Sequence, residues 1–234
     1  TFAGNILIIG SRGQLGCELM RILSRRRPVL GVTHADLDIT DLTAVLAYVK
    51  TVKPSVVIHC AAWTDVDACE SDADRAMAVN ADGCRNVANA CQSVGAAMMY
   101  FSTDYIFDGR KSAPYVEDDP PNPLSVYGKS KLAGEKAVRD LVERHVIMRI
   151  SWVYGANGAN FIKTMLGLGR KQIDAIRAGI KLEPLNVVDD QLGCPTWAVD
   201  IAEQTEVLIS RQMTGTFHVA AAGAVTRYAL AREL

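Results

Sequence analysis

Asn5-Ile6-Leu7-Ile8-Ile9-Gly10-Ser11-Arg12-Gly13-Gln14-Leu15-Gly16 is the stretch that decides the fold of this chain. Its apolar run is short and reads as a buried strand. Cys17 to Ser24 then shows helical periodicity, so the three glycines fall at a strand-to-helix junction. Each has a physical task there. Gly10 permits the tight turn, Gly13 lets a pyrophosphate approach the backbone, and Gly16 lets the helix pack close to the strand. The free amides and dipole of the helix N-terminus hold the phosphates. The spacing is GxxGxxG, not the commoner GxGxxG, and a lone glycine triplet is weak evidence. The strand–turn–helix context favours dinucleotide binding over a bland turn.

Working outward, strands and helices alternate. Val29 to Val32 reads as a second strand and Leu42 to Lys50 as a helix capped by Thr40 or Asp41. Ser55 to Cys60 is a strand, followed by helices over Ser71 to Ala81 and Gly83 to Ser93. Ala97 to Phe101 is a strand, Ser125 to Leu141 a long helix, and Val146 to Ile150 another strand. The pattern implies right-handed βαβ units and an α/β, doubly wound parallel (Rossmann) sheet. Ligands of such sheets bind at the carboxyl ends of the strands, where Gly10, Thr64, Thr103 and Trp152 all lie. After Gly155 the alternation weakens, and Asn157 to Asn160 and Leu182 to Gly193 read as loops. The expected division is a dinucleotide-binding domain over 1–155 and a small substrate-binding lobe over 156–234. The chain ends in a helical pattern, Ala229 to Leu234, with no stop signal, so a continuing, longer lobe is expected.

Tyr127 and Lys131 stand four apart at the start of the long helix and share one face. An ammonium beside a phenol favours the phenolate and lowers a pKa that is normally about 10. Such a tyrosine exchanges a proton with a substrate oxygen near neutral pH. A hydroxyl from the upstream strand end, in Ser102-Thr103-Asp104-Tyr105, is placed to hold the same oxygen. Alone, the pair reads equally well as an exposed Tyr and Lys on an ordinary helix.

Composition narrows the function classes. The 234 residues carry 25 Lys and Arg against 26 Asp and Glu, which gives no electrostatic case for nucleic acid or an anionic membrane. No uninterrupted apolar stretch spans a bilayer, and the first apolar run is too short for a signal peptide. The six cysteines form no CxxC pair and no histidine sits at zinc-ligand spacing, so a reduced, cytoplasmic setting and structural histidines are expected.

The second strand ends in Val32-Thr33-His34, with no acid to bind a ribose 2′-hydroxyl. Arg12 is placed to reach a 2′-phosphate. Both points lean toward NADPH over NADH. Asp36 and Asp38 lie just beyond and blur that preference, and Arg12 reads equally well as a solvated loop residue.

The chain resembles the dTDP-4-dehydrorhamnose reductase family of extended short-chain dehydrogenase/reductases. The matching segments include Gly10 to Gly16, Leu37-Asp38-Ile39-Thr40, Ala61-Ala62-Trp63-Thr64-Asp65-Val66-Asp67 and Val79-Asn80. They continue through Ser102 to Gly109, Tyr127 to Glu135, Arg149 to Gly155, Asn160-Phe161 and Asp190-Gln191-Leu192-Gly193-Cys194-Pro195-Thr196. The resemblance implies hydride transfer from a nicotinamide to the C4 ketone of dTDP-4-dehydro-L-rhamnose. It implies a catalytic trio of Thr103, Tyr127 and Lys131. It also implies cofactor contacts from Gly10, Arg12, Gly13, Gln14, Leu15, Gly16, Asp38, Ile39, Ala61, Ala62 and Thr64, with Tyr127 and Lys131. Thr103, Asp104, Trp152, Asn160 and Gln191 are the implied nucleotide-sugar contacts. Trp152 also reads as a half-buried core aromatic, and Asn160 and Gln191 as loop caps. An equivalent of Asn80 supports the active site in the wider superfamily.

The chain departs from the family pattern in three places. Its C-terminal portion is shorter, Gln172 to Leu185 look more irregular, and Trp197-Ala198-Val199 stand where some members carry a Mg²⁺-binding acid. No metal is expected, and a homodimer remains open. Two alternatives stand beside the reductase. One is a non-catalytic cofactor-binding regulatory subunit of the same fold. The other is a nucleotide-sugar epimerase or dehydratase, although dehydratases typically carry Asp-Glu after the active-site Thr, where this chain has Asp104-Tyr105.

Overall fold

The computed structural model describes residues 4–234. Six strands form one parallel sheet: β1 (Ile6–Ile9), β2 (Val29–Val32), β3 (Val56–His59), β4 (Ala97–Thr103), β5 (His145–Ile150) and β9 (Gly215–Val219). Their spatial order is β2-β1-β3-β4-β5-β9. The order reverses between β1 and β3, which makes the crevice above their carboxyl ends the expected ligand site. Strands β1, β3 and β4 are buried along their whole length, as apolar runs covered on both faces require.

Helices cover both faces. On one side α2 (Leu42–Val52), α5 (Gly83–Val94) and α6 (Val126–Leu141) pack with Leu7, Val57, Met98 and Tyr100. On the other, α1 (Gln14–Leu23) and α8 (Ala198–Ser210) pack with Ile6, Ile58, Met99 and Met148. The doubly wound Rossmann architecture read from the alternation is therefore present.

Three local features differ from the sequence reading. The helix expected over Ser71 to Ala81 is two short helices, α3 (Val66–Ser71) and α4 (Ala73–Met77), and a π-helical turn over Ala78–Asp82 joins α4 to α5. A 17-residue helix, α7 (Phe161–Arg177), occupies the region read as weakly structured and takes in the first part of Gln172 to Leu185. Finally, α8 and β9 return from the second half of the chain to the Rossmann body. Ala198, Ile201 and Ala202 of α8 are fully buried in the same core as α1, and β9 pairs with β5. The boundary expected at residue 155 is thus crossed by two elements. What lies over the strand ends is α7, the short pairs β6 (Val153–Tyr154) with β8 (Thr196–Trp197) and β7 (Leu192–Gly193) with β10 (Val225–Thr226), and α9 (Arg227–Arg232). No helix among the described residues is long and apolar enough to cross a membrane.

Candidate active site

The glycine loop forms the floor of the site. Gly10 has φ +87°, and a Cβ there would lie 2.7 Å from the Ala61 nitrogen, so the loops after β1 and β3 meet at the point of reversal. A Cβ on Gly16 would lie 2.1 Å from the Gly10 carbonyl oxygen. Gly13 is the N-cap of α1 and offers no side chain to its first-turn amides. Those amides, the helix dipole and the space a Cβ would fill fit a dinucleotide pyrophosphate. Ala61 and Ala62 are half-buried beside this cradle, and Thr64 is exposed.

Asp38 and Ile39, expected at the adenosine end, lie between β2 and α2. Ile39 is buried in the core and touches the space above Gly83, while Asp38 accepts hydrogen bonds from the Thr40 amide and hydroxyl. Arg12 is exposed, and its charge helps hold the Asp36 carboxyl below its ordinary range, after two hydrogen bonds from Thr33. Gln14 is half-buried and donates to the Val153 carbonyl at 2.8 Å.

Thr103, Tyr127 and Lys131, the trio the resemblance implies, lie where β4 ends against α6. Thr103 is the last residue of β4. Its hydroxyl caps the short 3₁₀ turn Asp104–Ile106 by accepting from the Tyr105 amide, and donates to Asp104 Oδ1 at 3.0 Å. Ser151, from the end of β5, donates to the other carboxylate oxygen at 2.6 Å. Desolvation raises the Asp104 pKa, and these two hydroxyls oppose it. The helix α6 starts at Ser125, whose side chain accepts from the Gly128 amide. A Cβ on Gly128 would lie 2.2 Å from the Tyr105 carbonyl, so helix and turn are in direct contact. On α6, Tyr127, Lys131 and Glu135 follow at intervals of four along one buried face.

The electrostatics reverse one expectation. Lys131 does not lower the Tyr127 pKa below its ordinary value. Burial pushes the phenol well up, while a hydrogen bond with Thr103 opposes the rise. Lys131 itself is lowered to about 8, chiefly by burial. Its ammonium lies 4.2 Å from the centre of the Tyr100 ring.

The remaining predicted residues divide. Asn80 sits in the π-helical turn and is 1% exposed. It accepts from the Trp63 amide and donates to the Trp63 carbonyl and the Ser130 hydroxyl, so it ties the loop after β3 to α6. A π-turn at a functional site is a recurrent device. Trp152 has φ +41°, an uncommon conformation for a bulky residue. Its ring carries the Arg227 guanidinium at 3.6 Å, and a Cβ on Gly193 would lie 2.3 Å from it. Trp152, Phe161, Pro195, Arg227 and Leu230 border a cavity of about 310 Å³. Asn160 is engaged within the protein: it caps α7 at Lys163 and donates to Gln14 Oε1 and the Gly155 carbonyl. Those bonds include the capping role that the loop reading of Asn160 expects. Gln191 is exposed just before β7.

Sequence reasoning missed Tyr100, Ser151 and Arg227. Tyr100 lies in an apolar run that reads as core. Ser151 and Arg227 are remote in sequence, and only the strand order brings Ser151 to Asp104.

The chain is similar to known proteins over nearly its whole length. Residues 4–234 match the family model described as the RmlD substrate binding domain. The chain is 40% identical to a dTDP-4-keto-6-deoxy-D-glucose reductase of Streptomyces niveus, over 97% of this chain and 76% of that protein. It is 42% identical to a dTDP-4-dehydrorhamnose reductase of Streptomyces griseus, over 97% of this chain and 74% of that one. Among solved structures, a dTDP-4-dehydrorhamnose reductase from Bacillus anthracis str. Ames, in complex with NADP, superposes with a TM-score of 0.90 at 38% identity, covering 98% of this chain and 79% of that chain. With its glycine cradle and its Thr103–Tyr127–Lys131 cluster at the strand ends, the chain belongs to the dTDP-4-dehydrorhamnose reductase family.

Proposed function

We propose that this chain reduces the C4 ketone of dTDP-4-dehydro-β-L-rhamnose to dTDP-L-rhamnose, using NADPH or NADH. The observation that carries the reading is the convergence of Thr103, Tyr127 and Lys131 beside the glycine cradle in a member of this family. A reduced nicotinamide, when bound, supplies the hydride. The protein supplies the proton and the position of the ketone. Tyr127 donates its phenolic proton to the C4 oxygen as charge develops there, and the Thr103 hydroxyl turns its single proton from Asp104 to the same oxygen. The raised Tyr127 pKa suits this direction, because the phenol stays protonated across the physiological range. Asp104 accepts the Thr103 proton until the ketone binds, and Trp152, stacked by Arg227, borders the cavity we assign to the sugar or thymine. The six free cysteines support a reducing, cytoplasmic setting.

The two Streptomyces relatives carry different 4-keto sugars in their names at nearly equal identity, so the assay includes both ketosugars. Following nicotinamide absorbance, we expect oxidation with dTDP-4-dehydro-L-rhamnose and a loss of about 10²–10⁴-fold in the Tyr127→Phe variant. Equal turnover by that variant would sink the mechanism. Cofactor binding without consumption would favour the regulatory reading, and exclusive turnover of dTDP-4-keto-6-deoxy-D-glucose would reassign the substrate.

A further inference from the structure

Lys131 is 3% exposed, and its ammonium must be compensated where water is scarce. Its neighbours offer little charge. From β3 and the residue after it come His59, held neutral with its pKa lowered to about 3, and Cys60, a thiol whose pKa burial raises. From α5 comes Cys84, raised to about 12. On α6, Tyr127 is a neutral phenol, and the Glu135 carboxylate is already bound by Arg149 at both oxygens, with Arg139 on one of them. Glu135 still favours the ammonium through its charge, and the group in contact with it is the face of Tyr100 on β4, at 4.2 Å.

That ring is itself firmly placed. Tyr100 is 1% exposed, and its hydroxyl donates to the Lys131 carbonyl at 3.2 Å. The same residue is thus held at both its backbone and its side-chain end. A Cβ on Gly134 would lie 2.4 Å from the Tyr100 hydroxyl, so only glycine leaves room for this contact. The ring also stacks on His59 at 5.9 Å and 22°.

We propose that Tyr100 is a positioning residue whose aromatic face is the cation–π platform that holds the Lys131 ammonium at the active site. The inference deepens the reductase reading and rests on it for the catalytic consequence. The Lys131–Tyr100 contact itself does not depend on that reading. A desolvated cation–π contact favours the charged amine. Losing it lowers the Lys131 pKa further, so the alkaline limb of a pH profile that needs the ammonium moves toward lower pH.

The decisive comparison keeps the ring shape and changes only its quadrupole: the full-length Tyr100→Phe variant, and the same variant with pentafluorophenylalanine at that position. Lys131 is titrated directly by NMR of lysine labelled at Nζ, assigned against Lys131→Met. In parallel, kcat/KM is followed across pH. We expect the Phe variant to titrate close to wild type and the fluorinated one at least one pH unit lower, with the alkaline limb moving alike. Equal Lys131 titration in the two variants would overturn the platform. If ketone reduction fails altogether, the NMR titration still decides the contact, so the two readings fail separately. If both variants titrate together but far from wild type, the Tyr100 hydroxyl sets the position instead, and the platform is wrong.

Discussion

At the scale of the residue, Lys131 carries a cost of burial. In the folded protein its pKa falls from an ordinary 10.5 to about 8, because burial disfavours the ammonium. Between those values the unfolded chain holds more protons than the folded one, so folding stability rises with pH from about 8 to about 10.5. Below pH 8 the full cost is present. The Lys131→Met variant is therefore expected to be inactive yet more stable than the parent at pH 7, by up to about 3 kcal/mol. That advantage shrinks at pH 9.5. Thermal unfolding of both proteins at the two pH values checks this, and a pH-independent gap would rule it out. The spacing of Tyr127 and Lys131 was readable because helical neighbours at four residues depend on local geometry alone. The sign of the Tyr127 shift was not, because it is set by desolvation and by where the ammonium goes. Burial of the phenol and the Tyr100 ring under the ammonium both come from segments remote in sequence from α6.

At the scale of the element, α6 is positioned by its first turn. Ser125 caps it, and Gly128 lets it approach the Tyr105 carbonyl. Ser125→Ala is expected to cost about 1 kcal/mol through the lost cap. Gly128→Ala must displace helix or turn, since its Cβ would meet backbone rather than a flexible side chain. We expect it to cost about 1–3 kcal/mol and to lower kcat by separating Tyr127 from Thr103. Urea unfolding with steady-state kinetics distinguishes the two. A Gly128→Ala protein as stable and active as Ser125→Ala would contradict the close contact. The start of α6 was legible because a capping serine is a local signal. The α7 helix was not read: Gly167 and Gly169 interrupt its sequence, and none of its residues is fully buried. The π-helical turn also escaped, because Asn80 pairs with Trp63 and Ser130 only once loop and helix are in place.

At the scale of the whole molecule, the second half of the chain completes the first. Strand β9 flanks β5, and α8 lies against α1 with Ala198, Ile201, Ala202 and Ile209 in the shared core. A fragment of residues 1–155 would expose the β5 edge and that apolar face to water. We expect it to lack a cooperative thermal transition and to aggregate, as unpaired strand edges and uncovered cores do. Circular dichroism melting and sedimentation of the fragment check this. A soluble, cooperatively melting fragment would show that the boundary at 155 separates autonomous units.

Local spacing in the chain was enough to determine the alternation of strand and helix as far as Ile150, the glycine turn between the first strand and helix, and the placing of Tyr127 and Lys131 on one helix face, while Thr103 joined them through the family resemblance. The first three depend on turn geometry or on a period of two or four residues. Only the tertiary structure decided which strand closes the sheet, that Asn160 caps a helix, that Arg227 stacks on Trp152, and that the Lys131 ammonium rests on Tyr100. Those outcomes come from burial and from contacts between segments far apart in sequence, and no local periodicity encodes them.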